Sequence, residues 1–191
     1  MDKPHRGVTP TSDQCHRLLK EYDVPDHIIR HSEVVSRVAA FLARRLNVSG
    51  EHLSIEEIEA AALLHDITKM EGIESRRDHA ETGRRLLNSL GFRRIGEIVG
   101  EHIRLGKGTE TQAIREEEIL NYSDKRVMHT EIVTLAERFA DLERRYGLKG
   151  SDTTTIERIK AGEKSAYELE GKIFSRLDFS PEELVQRMEE G

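Results

Sequence analysis

The stretch from Ile58 to Lys69, which reads IEAAALLHDITK, constrains the fold of this chain more than any other. Ser54 and Glu57, just before it, have the spacing of a capping box, which predicts the start of a helix. The apolar residues three, four and seven positions before His65 share its helix face. The pattern therefore predicts a buried central helix that ends in an imidazole and a carboxylate. An ionised Asp inside a core is costly unless a partner or a metal ion compensates its charge.

The rest of the chain also shows the periodicity of helices, and no window has the alternation that is typical of a strand. The predicted helices cover residues 12–22, 25–46, 54–69, 78–90, 94–105, 111–128, 130–146 and 152–177, with a last short helix after residue 180. Residues 70–77 are predicted to be irregular. A charged fraction of 35%, with 5% aromatics and no Trp, also suits a helical protein. We therefore predict an all-α fold.

A length of 191 residues suits one domain, or one domain with an extension. A glycine-flanked break at 147–150 separates two helical segments. We therefore expect a helical domain over 12–146 and a C-terminal helical extension over 151–191. The extension suits either a lid over a site or a contact between the two subunits of a homodimer.

Composition restricts the partners and the compartment. The net charge of −6 argues against a nucleic-acid partner, although a local basic pocket for a small anion remains compatible with it. Cys15 is the one cysteine, which excludes an internal disulfide and suits a reducing cytosol. No apolar run approaches the length needed to span a bilayer. We expect a cytoplasmic protein without a membrane partner.

Several polar residues that could bind a metal lie in otherwise apolar helix stripes, and they come from five predicted helices. These residues are His31, the pair His65-Asp66, His79, His102 and Asp124. Imidazole and carboxylate are ligands of first-row transition metals, and the core of a helical bundle is where such sites are built. The competing interpretation is a set of unrelated core histidines, each with its own hydrogen-bond partner. The other five histidines fall in loops, on an exposed face or at helix ends.

The order His31, His65-Asp66 and Asp124 resembles the signature of the HD-domain metal-dependent phosphohydrolases. The resemblance covers about residues 15–146 and is nearest to small HDIG-type proteins of bacteria and archaea. It implies a helical bundle with an appended C-terminal extension. It also implies that these four residues hold one metal ion.

In two-metal members of that family, the residue that matches Asp66 bridges to a second ion, which the residues matching His79 and His102 would hold. We expect Gly83, which lies beside His79 on the predicted helix, to leave room for this ion. The histidines at these two positions therefore favour the two-metal arrangement.

Departures from the family pattern indicate which branches of the family this chain does not resemble. HDIG members usually carry Gly at the position of Thr68. Relatives of alarmone hydrolases and small nucleotidases carry Glu at the position of Lys69, where it serves a one-metal mechanism. The chain also lacks the His-His pair and the Gly-Tyr-Pro segment of the branch that degrades cyclic-di-GMP. These differences again favour two metal ions.

The resemblance implies hydrolysis of a phosphoester, of a nucleotide in particular, by a metal-bound hydroxide. Asp66 and Lys69 are the candidate catalytic residues: Asp66 as the bridge, and Lys69 as a cation on a non-bridging phosphate oxygen. The alternative for Lys69 is a solvated charge at a helix end. One or two divalent ions are expected, and Fe, Mn, Co, Ni and Zn all remain open. The same ligand set would also serve a di-iron oxygenase or a non-catalytic metal-binding regulatory domain.

Other basic residues flank the candidate ligands and are expected to line an entrance for an anionic substrate. With Lys69, these are Arg76, Arg77, Arg104 and Lys107, followed further along the chain by Lys125 and Arg126. The expected partner is a small phosphorylated molecule.

Overall fold

The structure, a computed structural model, describes residues 8–106, 112–147 and 153–190. In these ranges the chain forms ten α-helices: α1 Ser12–Glu21, α2 Asp26–Val48, α3 Ile55–Leu64, α4 Lys69–Ser75, α5 His79–Ser89, α6 Arg93–Gly100, α7 Glu116–Lys125, α8 Leu135–Gly147, α9 Thr153–Phe174 and α10 Leu184–Glu190. A 3-10 helix, Pro181–Glu183, leads into α10. The prediction of an all-α fold is confirmed. The sequence did not predict the hairpin of β1, Val127–Met128, and β2, Glu131–Ile132, which pair antiparallel.

The largest difference from the predicted helices falls at the centre of the chain. The central helix ends at Leu64 instead of continuing to Lys69. Bonds from the amide of Ile67 to the carbonyl of Leu64 and from that of Lys69 to that of Asp66 tighten the chain into a turn. Residues 70–75, which were predicted to be irregular, are helical as part of α4. His65 and Asp66 therefore lie in the turn between two helices.

The helices predicted over 94–105 and 111–128 are both shorter in the structure, at the ends that face Lys107. Helix α6 ends at Gly100 instead of at residue 105, and α7 begins at Glu116 instead of at residue 111. Lys107, and the start of the predicted 111–128 helix, lie outside the described residues. His102 consequently lies in a turn beyond the end of α6, two residues after Gly100.

Helix α3 is the centre of the bundle and packs against α1, α2, α6 and α7. The residues from Ala60 to Leu64 are all buried, so nearly every face of this helix is covered. Three of them are Ala, and small side chains allow neighbouring helices to approach closely. The burial removes the apolar surface of α3 from water, which is the main favourable term in folding. The packing holds the end of α3, where the His-Asp pair lies, deep inside the protein.

The C-terminal helices share this hydrophobic core. Ala166, Leu169 and Ile173 of α9 are buried in the same cluster as α2 and α3. Arg126 is 2% exposed and binds the hydroxyl of Tyr122, the Glu170 carboxylate and the carbonyl of residue 181. This arginine was expected to line the entrance for an anion, but it serves instead to join α7 to the C-terminal helices. Among the helices that the structure describes, none is long and apolar enough to cross a lipid bilayer.

Candidate metal centre

Three of the four candidate histidines are oriented by the same kind of hydrogen bond, from Nδ1 to a backbone carbonyl. These bonds join His31 to the carbonyl of His129 (2.9 Å), His65 to that of Ala62 (2.7 Å) and His102 to that of Val99 (2.7 Å). Because a carbonyl can only accept, Nδ1 carries the proton in each ring, which leaves Nε2 as the nitrogen that can bind a metal when the ring is neutral. Metal-binding histidines are commonly oriented in this way.

The first group of converging side chains consists of His31, His65 and Asp124. Oδ1 of Asp124 lies 3.1 Å from Nε2 of His31 and 3.5 Å from Nε2 of His65. His65 is completely buried, and its Nε2 makes no hydrogen bond. Burial disfavours a charge on this ring, but the carboxylates of Asp66 and Asp124 outweigh it and raise the pKa of His65 to about 10. The site therefore favours positive charge at this nitrogen.

The second group of converging side chains contains Asp66, His79 and His102. Oδ1 of Asp66 lies 3.2 Å from Nε2 of His79 and 3.8 Å from Nε2 of His102, and the two Nε2 atoms are 3.2 Å apart. Burial, reinforced by the charge of His65, lowers the pKa of His102 to about 3, although the nearby carboxylates oppose this. His102 is therefore a neutral ring, the form that binds metals.

Asp66 lies between the two groups and has a different neighbour at each oxygen. Its Oδ1 faces His79 and His102, and its Oδ2 lies 3.4 Å from Nε2 of His65 and 2.6 Å from Nζ of Lys69. The carboxylate is almost completely buried. Burial would raise its pKa, but the charge of His65, the hydrogen bond from His79 and the charge of Lys69 hold the pKa well below its usual range. Asp66 is thus ionised and can serve both groups.

These side chains fit a divalent transition metal. Two sets each bring three possible ligand atoms within 4.8 Å of one another: His31, His65 and Asp124 in one, and His65, Asp66 and His102 in the other. The Nε2 lone pairs that meet at the centre repel one another unless a proton or a cation lies between them. Imidazole and carboxylate donors in this mixture suit Fe, Mn, Co, Ni or Zn. The structure brings all six predicted ligand residues together, and their role as ligands remains a prediction.

Two threonines and a glycine position His79. The sequence did not predict this positioning role for any of them. The hydroxyl of Thr68 donates to the backbone carbonyl of His79 at 2.9 Å and lies 2.9 Å from the hydroxyl of Thr82. A Cβ added at Gly72 would lie only 2.7 Å from Cβ of His79. The departure from the family's Gly at position 68 was the available signal for this contact.

The expectation that Gly83 leaves room for an ion is wrong. A Cβ at this position would meet a side-chain methyl of Val99 at 3.2 Å and the hydroxyl of Thr68 at 3.4 Å. The absent side chain of Gly83 therefore allows α5 to pack closely against α6 and the turn after α3.

A cavity of about 870 Å³ opens from the metal centre. Lys69 and Arg104 line it, as does Lys125. Burial lowers the pKa of Lys125 to about 8; the charge of Asp124 raises it, and that of Arg138 lowers it further. The expected substrate ligands Arg76 and Arg77 are exposed at the end of α4, outside the lining of this cavity.

One wall of the cavity is apolar and comes mainly from α8, through Phe139, Leu142 and Tyr146. Residues of α9 face it, and Ile103 and Leu105 extend the apolar surface toward the metal centre. The cavity therefore combines a charged end at the histidines with an apolar body.

Comparison with known proteins supports the family suggested by the motif. The model of the HD domain family matches residues 28–178, which include all six candidate ligands. A tRNA (cytidine(56)-2'-O)-methyltransferase of Picrophilus torridus is 37% identical over 110 residues, which cover 53% of this chain but only 28% of the methyltransferase. An uncharacterized protein of Methanocaldococcus jannaschii is 28% identical over 138 residues, covering 64% of this chain and 79% of that protein. No solved structure gives a significant match. On the match to the family model, this chain belongs to the HD domain family.

Proposed function

We propose that this protein is a metal-dependent phosphohydrolase that cleaves a phosphoester bond of a nucleotide. The observation that carries the proposal is the position of Asp66, whose two oxygens face separate histidine groups while Lys69 lies 2.6 Å away at the mouth of a large cavity. A divalent ion, when bound, lowers the pKa of its water from about 15.7 toward roughly 7 and so supplies a nucleophile at neutral pH.

The protein's part is to hold the charges of the centre in place. His31, His65 and Asp124 would hold one ion, and His79 and His102 would hold a second, with Asp66 shared between them. The Nδ1 bonds to backbone carbonyls keep three of the rings from rotating, so that little reorganisation is needed when substrate binds.

Lys69 is the group best placed to act on the phosphate. Its ammonium is partly exposed, with a side-chain exposure of 37%, and it lines the cavity while contacting Asp66. A phosphate bound at the centre offers oxygens that compete with Asp66 for this ammonium. A contact that strengthens as negative charge grows on the phosphoryl oxygens stabilises the transition state more than the ground state.

The apolar wall supports an organic phosphate over a free phosphate as the ligand. A cavity of about 870 Å³ lies within the range of roughly 300–1,000 Å³ that is usual for small-molecule sites. Phe139, Leu142 and Tyr146 offer an aromatic and aliphatic surface on which a nucleobase can pack. These features favour a nucleotide.

The test is metal analysis of the purified protein combined with a panel of phosphomonoesters and phosphodiesters and an oxygen electrode. We expect phosphoester hydrolysis that a chelator abolishes and added metal restores. Dioxygen consumption with bound iron and no hydrolysis would instead establish an oxygenase. If the metal-loaded protein does neither, it is a regulatory metal-binding domain.

A further inference from the structure

Arg138 of α8 lines the cavity. Among the described residues it has no carboxylate or hydrogen-bond partner for its guanidinium. Its Nε is shielded from water and makes no hydrogen bond. Within the described residues, no carboxylate lies within ion-pair distance of its guanidinium, and its side chain donates no hydrogen bond. A buried donor that is left unsatisfied is unfavourable and calls for an explanation.

A shielded Nε by itself does not distinguish Arg138 from other arginines of this protein. Three described arginines also have a shielded Nε without a partner, but each pairs a terminal nitrogen with a carboxylate. These pairs are Arg115 with Glu101, Arg145 with Asp141 and Arg187 with Glu183. The guanidinium of Arg138 has no such pair among the described residues.

Lys125 brings a second cation to the same cavity, and among the described residues it forms no ion pair. Its ammonium contacts three neutral oxygens: the carbonyl of His102 at 3.4 Å, and the carbonyl and side-chain oxygen of Asn121 at 3.0 and 2.7 Å. The contact with His102 is long, so an anion could replace it at little cost. Lys125 and Arg138 both line this cavity.

The acidic residues of the cavity are committed elsewhere and leave these two cations free for a ligand. Asp66 contacts Lys69, Asp124 contacts His31, Glu118 contacts Lys172, and Glu168 contacts Lys164. No acidic residue that lines the cavity pairs with Arg138 or Lys125.

We propose that Arg138 and Lys125 bind a second phosphate of the substrate, apart from the phosphate that undergoes hydrolysis. The inference rests on the proposed function, because it takes the metal centre as the place of the first phosphate. The guanidinium presents parallel N–H donors that match two phosphate oxygens at once. Phe139, the next residue on α8, leads into the apolar wall, so the same ligand would reach both. The substrate class is then a nucleotide with at least two phosphates.

Binding to the purified metal-containing protein tests this directly by calorimetry. The probes are the non-hydrolysable adenosine α,β-methylene diphosphate, adenosine 3',5'-bisphosphate, and an adenosine phosphonate with one anionic group. The two probes with two phosphorus groups distinguish a second phosphate on the same chain from one at the 3' position of the ribose. We expect at least one of them to bind more tightly than the phosphonate.

The variant Arg138→Gln should lose about 10- to 100-fold in affinity for the preferred probe and much less for the phosphonate, because one charge-assisted contact is removed. Arg138→Lys keeps the charge but not the planar fork, so its affinity should lie between those of the parent and Arg138→Gln. This variant also keeps the test valid if Arg138→Gln does not fold. Arg158→Met is the matched control, since Arg158 is an exposed arginine that lines the same cavity from α9. Metal content should be unchanged in all three.

Equal affinity of the parent for all three probes would overturn the proposal. So would an Arg138→Gln protein that binds like the parent, or an equal loss in Arg158→Met. Hydrolysis is scored separately. If the parent hydrolyses no phosphoester but binds a probe with two phosphorus groups more tightly through Arg138, the proposed hydrolase activity is refuted and the proposed second phosphate site stands. If the parent hydrolyses phosphoesters but Arg138→Gln does not change probe binding, the hydrolase activity stands and the second phosphate site is refuted.

Discussion

On one side of the centre, His31 and His65 are buried, whereas on the other side His79 is partly exposed at the start of a helix. His31 lies within α2, which has 23 residues, and His65 is completely buried at the end of α3. His79 is the first residue of α5 and its side chain is 24% exposed, although its neighbour His102 is as well buried as His65. A helix end gives a side chain less support than the middle of a packed helix, because helix ends fray.

This difference indicates how the centre would bind two ions. The first group is held by the hydrophobic core itself, so its geometry should exist before metal binds. The position of His79 depends on a few local contacts, above all the hydroxyl of Thr68 on its carbonyl. We therefore expect the ion at His31 and Asp124 to bind more tightly than the ion at His79 and His102. The predictions below test this difference, beginning with the largest effect.

His65→Ala should remove the most, because this ring belongs to both sets of converging ligands. We expect metal content to fall close to zero and phosphoester hydrolysis to fall by at least about 10³-fold, since the activated water is then lost. Metal analysis and a turnover assay measure both. The exposed His52 supplies the control, and His52→Ala should behave as the parent does. Full metal content in His65→Ala would contradict the assignment.

Lys69→Met should separate binding of metal from catalysis. We expect both ions to remain and kcat to fall by about 10²–10³, or about 2.7–4 kcal/mol, because one charge-assisted contact in the transition state is lost. Steady-state kinetics with metal analysis on the same sample measure this. Lys20→Met, at an exposed lysine in the last turn of α1, is the matched control. If Lys69→Met hydrolyses as fast as the parent, Lys69 is only a charge at a helix end.

The double variant His79→Ala/His102→Ala should lose about one ion per chain and keep the ion of the first group. Metal counting on the variant and the parent measures the difference directly. The pair His27→Ala/His52→Ala, two exposed histidines, controls for the loss of two imidazoles. Equal metal counts in the parent and the double variant would show that His79 and His102 are core histidines.

Thr68→Val should have the smallest effect and act on the second group alone. Loss of the hydroxyl that holds the carbonyl of His79 should weaken the second ion by about 10- to 100-fold, as for other residues that orient metal ligands. The first ion should bind as in the parent. Metal titrations that resolve the two ions make this measurement. Thr68→Ser keeps the hydroxyl and should retain most of the affinity; a loss as large as in Thr68→Val would argue against the hydrogen bond.

Much of the helical framework could be predicted because its signals are local. Ser54 accepts a bond from the amide of Glu57, Asp78 accepts one from the amide of Ala80, and Ser180 forms a capping box with Glu183. These bonds form between residues two or three apart, so the spacing of residue types predicts them. The central cap is only half of the predicted box, because the Glu57 side chain pairs with Arg94 at 3.2 Å instead of returning to Ser54.

The inward placement of His31, His79 and Asp124 could also be predicted, since apolar neighbours at helical spacing show which face is buried. The ends of α3 and α6 could not. Both helices end before their histidine, at Leu64 and Gly100. Apolar periodicity continues through such an end because the following turn is buried as well.

The roles of the basic residues were decided by tertiary structure alone. Arg126 and Arg138 both lie near the centre in sequence, yet Arg126 is buried among the C-terminal helices and Arg138 lines the cavity without a partner. Arg126 meets a carboxylate only because Glu170 of α9, 44 residues further along the chain, packs against it. The sequence by itself determined most of the helices and the set of candidate metal-binding side chains, because both follow from residue types at short spacing. The cavity and its free cations depend on long-range packing, which no local pattern records.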